Sequence, residues 1–548
     1  MLHVDFVILG GKIYTQHPAQ PWVSAIAVRD GKVVAIGDDT SIHGLTGPAT
    51  TILRLHGQLV LPGLCDAHIH LYHWMLAQAQ IQLATCRSKQ EMLARIAVAA
   101  QTTPPGTWLL GQGWNESWWG ESTFPTADDL DPVTGPDHPT LLWRSDLHLA
   151  VVNRAALRLA GIDANTPAPP GSAIDHDHHG NPTGILREQA AGLVARHIPA
   201  PTQNDLLRML PEAVNRLHRL GITAIHDQRV KDGNDGPIML SAYTMLHAQQ
   251  ALDLRLTCNI AAHQLPELVA LGLRAGLGDD VLQLGHVKVF ADGSLGSRTA
   301  WMLEPYAKSA PNETDNYGLI LTPPAQMAAE FLRAHDHGFP ISVHAIGDQA
   351  NRAVLDIFTE LAQRTPRPAF PHRIEHVQTI HPNDQPRLAQ LDLTASVQPI
   401  HQVDDREVAT RLLGPRGDYT YPFRSLLRHG ARLAFGSDAP VADANPFLGI
   451  HAALARKRPG DPTAWNPNQA LTLDQIIHAY TLGPAEAVGK AATLGRLAPG
   501  YRADLVVLDR NLFALAQDAQ QHDAIADARP LLTLFDGRIV HRDPGFDA

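Results

Sequence analysis

Among the residues of this 548-residue chain, His68 and His70 have the clearest chemical potential. They stand one residue apart and close the apolar stretch LVLPGLCDAHIH at 59–70. In a strand, positions i and i+2 face the same way, so the two imidazoles can converge where the strand ends. Neutral imidazole is a common metal ligand near neutral pH, and metal binding is the chemistry this spacing offers. The chain has 30 histidines, so an isolated His-x-His pair carries weight only through its company. That company comes at the ends of later apolar runs: Lys288 in HVKVFADG, His344 in PISVHAIGD, His376 in HRIEHV and Asp438 in RLAFGSD. Taken singly, each has a bland reading as a satisfied core histidine or a turn-capping aspartate. The tract DHDHHGNPTG at 175–184 is rich in histidine, but its Asp, Asn, Gly and Pro content predicts an exposed turn.

These residues need elements to position them. From 206 onward, strand-like runs alternate with helix-sized segments. The runs are ITAIHD (222–227), LRLTCNI (254–260), HVKVFADG, PISVHAIGD, HRIEHV, LTASVQP (393–399) and RLAFGSD. With the run before His68 they make eight, the alternation of an α/β fold of the (β/α)8 TIM-barrel type. An open doubly wound sheet is the alternative, but no GxGxxG or Walker loop follows any strand. In such a barrel the catalytic groups gather at the C-terminal strand ends, where all six candidate ligands fall.

Residues 1–60 read as strands over 6–14, 24–36 and 50–54, with Asp30-Gly31 as a hairpin turn. The segments 503–511 and 531–543 repeat that chemistry, again turning on Asp-Gly. The expected layout is a composite β-sandwich domain from 1–60 plus 491–548 and a barrel over 61–490. Residues 71–205 form an insertion in the barrel that covers the site. Within the insertion, 90–100 and 151–160 read as helices and GQGWNESWWG (111–120) as a loop.

A formal net charge of −11 leaves no basic surplus for nucleic acid. No apolar run reaches membrane-spanning length, and the N-terminal stretch reads as a strand and not as a signal peptide. Cys65, Cys86 and Cys258 give no disulfide framework, which fits a reducing cytoplasm. A small-molecule substrate is the expected partner and a homodimer the expected assembly.

Taken together, LPGLCDAHIH, FPTADDLD with RSDLHLAVVNRAAL, VKVFADGSLGSRTA, SVHAIGD, RIEHVQ, ASVQPIH, LAFGSDAPV and LGRLAPGYRADLVVLD resemble the amidohydrolase superfamily. Within it they are similar to amidohydrolase family 3, the group that includes N-substituted formamide deformylase. The motifs keep the family's order from about 8 to 540. The resemblance implies a metal-dependent barrel with a composite sandwich that hydrolyses a non-peptide carbon–nitrogen bond. It implies that His68, His70 and Asp438 hold one divalent ion and that His344 and His376 hold a second. Zinc is the expected metal, with manganese, iron or nickel as alternatives. Lys288 matches the lysine that CO₂ carboxylates to bridge both ions; the competing reading pairs Lys288 with Asp292 or another carboxylate.

Asp438 is the expected general base. His401 is a candidate for orienting the substrate or stabilising the intermediate, and Trp114 and His148 are expected to close over the substrate. Cys65 stands where an aliphatic residue is usual, as a thiol ligand or an inert buried residue. Ala439 replaces an aromatic residue common in relatives and would widen the pocket. The alternatives are a mononuclear deaminase, for which HAIGD offers Asp348 and not the usual glutamate, a binuclear esterase or lactonase, and a non-catalytic binding protein.

Overall fold

The computed structural model describes residues 3–547 except 117, 118, 120–122, 145–148, 170, 171, 232, 234, 309–313 and 366. The chain divides into two compact units, 1–72 with 207–548, and 73–206.

The first unit holds the barrel. Its eight strands are β1 (Leu64–Ile69), β2 (Ile222–Asp227), β3 (Arg255–Ala261), β4 (Leu282–Phe290), β5 (Ile341–Ala345), β6 (Arg373–His376), β7 (Thr394–Val397) and β8 (Arg432–Phe435). Each pairs in parallel with the next, in sequence order. β1 and β6 are buried at every position, as expected of parallel strands covered on both faces. Helices such as Gln203–Arg219 and Asp348–Leu361 form the crossovers. The first stops before Gly221, whose left-handed φ of 77° ends it at little cost.

The ring closes at the C-terminal ends of β1 and β8. There the Asp438 N–H donates to the His68 carbonyl at 2.7 Å and the His70 N–H to the Ala439 carbonyl at 2.9 Å. Gly436 permits this approach, since a Cβ at that position would lie 2.4 Å from the His68 nitrogen.

The same unit carries two further sheets. One orders Lys32–Gly37, Ala25–Arg29, Phe6–Leu9 and Thr51–Arg54. The other runs through Arg538–Arg542, Pro530–Phe535, Leu505–Leu508, Leu59–Pro62, Lys12–Tyr14 and Trp22–Val23. The C-terminal strand Leu505–Leu508 pairs antiparallel with Leu59–Pro62, and one apolar core joins Ile8, Ile13, Ile26 and Val60 to Leu505, Leu532 and Leu534. The run 6–14, read as one strand, is two: Gly10 takes φ 73°, and the halves enter different sheets. Asp30-Gly31 and Asp536-Gly537 all have positive φ, the conformation of a two-residue hairpin turn.

Unit 73–206 has its own six-stranded sheet, ordered Ala173–His176, Pro182–Arg187, Leu149–Val152, Thr140–Arg144, Leu109–Trp114 and Ile81–Gln82. Two sequence readings change here. GQGW belongs to the strand Leu109–Trp114, its glycines accommodated where the register shifts near Gly113. The segment 151–160 begins as strand and becomes helical only at Arg154, after Asn153 caps the helix through the Ala156 N–H. The His-rich tract is the turn between two paired strands, with Asp177 accepting from the N–H groups of His179 and Asn181. Among the described residues no helix is long and apolar enough to cross a membrane.

Candidate metal centre

Five of the eight barrel strands deliver polar side chains to the C-terminal rim, where parallel strands around a common axis all end. His68 lies near the end of β1 and His70 just past it, β4 carries Lys288, β5 carries His344, β6 ends on His376, and Asp438 follows β8. The rings of His68 and His376 are 4.9 Å apart, those of His344 and His376 4.5 Å, and those of His68 and His70 5.4 Å. Ligand atoms of His68, His376 and Asp438 lie within 4.8 Å of one another, all buried. His376 and Asp438 hold left-handed φ values of 75° and 62°, costly for residues with a Cβ and typical of functional sites.

In three of the imidazoles the second nitrogen is engaged elsewhere. His68 Nδ1 is 2.7 Å from Glu375 Oε2, His376 Nδ1 is 2.8 Å from Gln398 Oε1, and His344 Nε2 is 2.9 Å from the Gly293 carbonyl. These three partners only accept, so each ring donates there and keeps a lone pair on its other nitrogen. That is the arrangement a metal requires of histidine.

A second observation tests the fit. Asp438 Oδ1 lies 3.2 Å from Nε2 of both His68 and His70. At this spacing a positive charge, carried by ring protons or by a bound cation, must lie between the carboxylate oxygen and the two imidazoles. A tetrahedral ion with bonds of about 2.0–2.1 Å sets its ligands about 3.3–3.4 Å apart. The residues fit a divalent metal.

The electrostatics keep most ligands unprotonated. Burial, then the Lys288 charge, lowers His344 to about 4. Burial and the adjacent His344 push His376 well below the usual histidine value, and burial lowers His70. Burial would raise Asp438, yet His68, His70 and His376 hold its carboxyl well below the usual range. His68 differs: burial and Lys288 lower it, but the Asp438 and Glu375 carboxylates prevail and raise it.

Lys288 faces the same space and is 2% exposed. Burial brings its amine down to about 8, and it lies 5.0 Å from the Phe290 ring centre. The Asp292 alternative does not hold. That carboxylate instead accepts the backbone N–H groups of Trp301 (2.8 Å), Ile346 (3.0 Å) and Gly347 (2.8 Å), and among the described residues Lys288 has no ion-pair partner.

The ligands line a cavity of about 490 Å3, with Phe290, Leu295, Ile346 and Val441 on its apolar side and Asp404 and Asp405 among its polar groups. His401 also lines it, its Nε2 3.8 Å from Asp438 Oδ2. The Gln378 amide donates to His401 Nδ1 at 3.4 Å, so Nε2 carries the hydrogen, and among the described residues that atom has no hydrogen-bond partner.

Trp114 departs from expectation. Its ring is fully buried in the core of unit 73–206 beside Trp119, Phe124 and Leu142, and its indole N–H donates to the Leu142 carbonyl at 2.9 Å. It has no surface left for a substrate. His148 lies outside the described residues. Cys65 is buried and its thiol is pushed well up by burial, so it is inert. Asp348, the candidate proton shuttle of a deaminase, is buried at a helix start and accepts the Leu303 N–H at 2.8 Å.

Sequence reasoning missed Glu375. The side chain is 0% exposed and binds His68 as well as Arg373 (Nε to Oε1 2.5 Å, Nη2 to Oε2 3.0 Å) and Ser342 (2.6 Å). The available signal was Arg-x-Glu in the short strand RIEH of a barrel whose strands are buried, a pair that must neutralise itself when buried.

Comparison with known proteins bears on the family and the fold. A family described as "Amidohydrolase family" matches residues 52–541. The chain is 33% identical over 515 residues to Protein LONG AFTER FAR-RED 3 of Arabidopsis thaliana, covering 92% of this chain and 87% of that protein. It is 27% identical over 527 residues to the N-substituted formamide deformylase of Arthrobacter pascens, covering 92% and 94%. Among solved structures, an uncharacterized metal-dependent hydrolase from Pyrococcus horikoshii OT3 superposes with a TM-score of 0.75 at 27% identity. That match covers 93% of this chain and 99% of the other.

Proposed function

The chain belongs to the amidohydrolase family, a metal-dependent hydrolase acting on carbon–nitrogen bonds, and from that premise we propose that it cleaves a small non-peptide amide, of the formamide kind, with Asp438 as general base. The observation that carries this reading is the set of three imidazoles, each with one nitrogen engaged by an acceptor and a free lone pair on the other, gathered beside a buried ionised carboxylate. His68, His70 and Asp438 would hold one ion and His344 and His376 a second, with N-carboxylated Lys288 between them; zinc suits this nitrogen- and oxygen-rich set. An unpaired, buried amine lowered to about 8 is partly neutral near pH 7, the form that reacts with CO2. Bound there, divalent ions supply Lewis-acid polarisation of the carbonyl and an acidified water.

The chain's own groups do the rest. Asp438, held ionised, takes a proton from the attacking water and returns it to the departing nitrogen. The His401 Nε2–H, without a hydrogen-bond acceptor among the described residues, donates to the oxygen where negative charge develops. Phe290, Leu295, Ile346 and Val441 receive an apolar substituent on that nitrogen. The three cysteines, all free and buried, suit a reducing compartment, and we place the protein in the cytoplasm.

The test is a panel of N-substituted formamides, simple amides, carboxylic esters and nucleobases, assayed with chelated protein before and after metal is restored. The proposal requires metal-restored turnover of an amide. Turnover of esters or nucleobases alone would overturn it.

A further inference from the structure

The three histidines with a defined partner are not held alike. His376 is backed by the neutral amide of Gln398 and His344 by the neutral carbonyl of Gly293, whereas His68 is backed by the Glu375 carboxylate. That carboxylate is itself fixed by the Arg373 guanidinium and the Ser342 hydroxyl, both 0% exposed. Arg373 in turn donates to the Ala67 carbonyl at 2.7 Å, one residue before His68, and to His226 Nδ1 at 2.8 Å. It also bonds to Ser396. β1, β2, β5, β6 and β7 thus all brace one imidazole from inside the barrel.

A buried anion on Nδ1–H draws that proton toward itself, makes Nε2 a stronger electron donor, and fixes the ring's tautomer and angle. A neutral acceptor does this more weakly. We propose that Glu375 is a positioning residue that acts through His68 and makes the His68 side of the cluster its tighter metal-holding side. The inference rests on the metal reading of the site and goes beyond it, because it predicts unequal affinities and names their cause.

The experiment titrates metal-free protein with Zn2+ against a chromophoric chelator, with circular dichroism to verify folding. Glu375→Gln is expected to weaken the first Zn2+ by about 10- to 100-fold. Gln398→Ala is expected to leave that first affinity unchanged and to weaken only the second. Because Glu375→Gln leaves Arg373 buried without a counter-ion, the double variant Arg373→Met/Glu375→Gln removes both charges and is expected to show the same loss. A measurement on the wild type completes the test: the Co2+-loaded protein is expected to show a hyperfine-shifted imidazole N–H protected from exchange with D2O. A folded variant at Glu375 with wild-type affinity for the first Zn2+, or a freely exchanging N–H in the wild type, would overturn the inference. Wild-type protein that binds no Zn2+ at all would overturn the metal reading as well, which separates the two failures.

Discussion

The Asp438 carboxylate stands 3.2 Å from Nε2 of His68, bringing the exit of the last barrel strand against the exit of the first. Asp66 makes the junction rigid by accepting the N–H groups of His68 (3.1 Å) and Ser437 (3.0 Å) through one oxygen. The ligand cluster and the seam that closes the barrel are therefore one structure. Removing charge from Asp438 while keeping its shape tests chemistry without disturbing the seam, whose hydrogen bonds are made by backbone groups and Asp66 and not by the Asp438 side chain. Asp438→Asn should keep the fold by circular dichroism and lose about 10²- to 10⁴-fold in turnover, the usual contribution of a positioned general base. Retained turnover would remove Asp438 from that role.

At the opposite end of the barrel, Arg255 of β3 joins the barrel to the terminal sheets. It reaches Asp504 at 2.5 and 2.8 Å and Asp536 at 2.6 Å, with 3% of its side chain exposed. Replacing it with methionine would leave Asp504 without a counter-ion in a poorly hydrated place, while Asp536 keeps Arg502 at 3.3 Å. Arg255→Met should cost about 3–5 kcal/mol in urea unfolding, the penalty for breaking a buried pair from one side. A loss below about 1 kcal/mol would mean that water reaches and solvates these aspartates.

His372 gives a pH signature away from the ligand cluster. Burial, with His335 and Arg367 nearby, takes its pKa from 6.5 to about 3, and its Nδ1 accepts the Ile341 N–H at 2.9 Å. Above pH 6.5 both folded and unfolded chains carry a neutral ring, and the contribution is complete. Below that value only the unfolded chain binds the proton, so stability falls by about 1.4 kcal/mol per pH unit until pH nears 3. His372→Gln abolishes this titration, so its destabilisation relative to wild type should shrink by about 2 kcal/mol between pH 7.5 and pH 5. An unchanged difference would show that His372 is not held neutral.

Among the described residues the Nε2–H of His401 has no hydrogen-bond acceptor, so its loss should be felt during the reaction and not in folding. His401→Ala should lower kcat by about 10²-fold at unchanged unfolding midpoint, as for loss of one oxyanion donor. A rise in KM alone would instead make it a contact to the resting substrate.

That His68, His70, Lys288, His344, His376 and Asp438 gather around one cavity was legible in the sequence, because parallel strands of a barrel all end at the same rim. Glu375 was not legible. It neighbours His376, and consecutive strand residues face opposite sides, which argues against both serving one site. The left-handed φ at His376 and at Val377 (44°) breaks that alternation and lets both side chains turn inward, a backbone event that no spacing rule encodes. Trp114 failed for a similar reason. Glycine-rich GQGW looks like a loop, yet its glycines serve close packing within a sheet: a Cβ on Gly111 would lie 2.8 Å from Leu142.

The central claim is that these side chains form a metal centre into which Lys288 enters. Elemental analysis of protein purified without chelator, on wild type and Lys288→Ala, tests it most directly. The account predicts about two divalent ions per wild-type chain and fewer in the variant, with the fold intact. Wild-type protein that binds no ion even after reconstitution, or a content indifferent to Lys288, would contradict it.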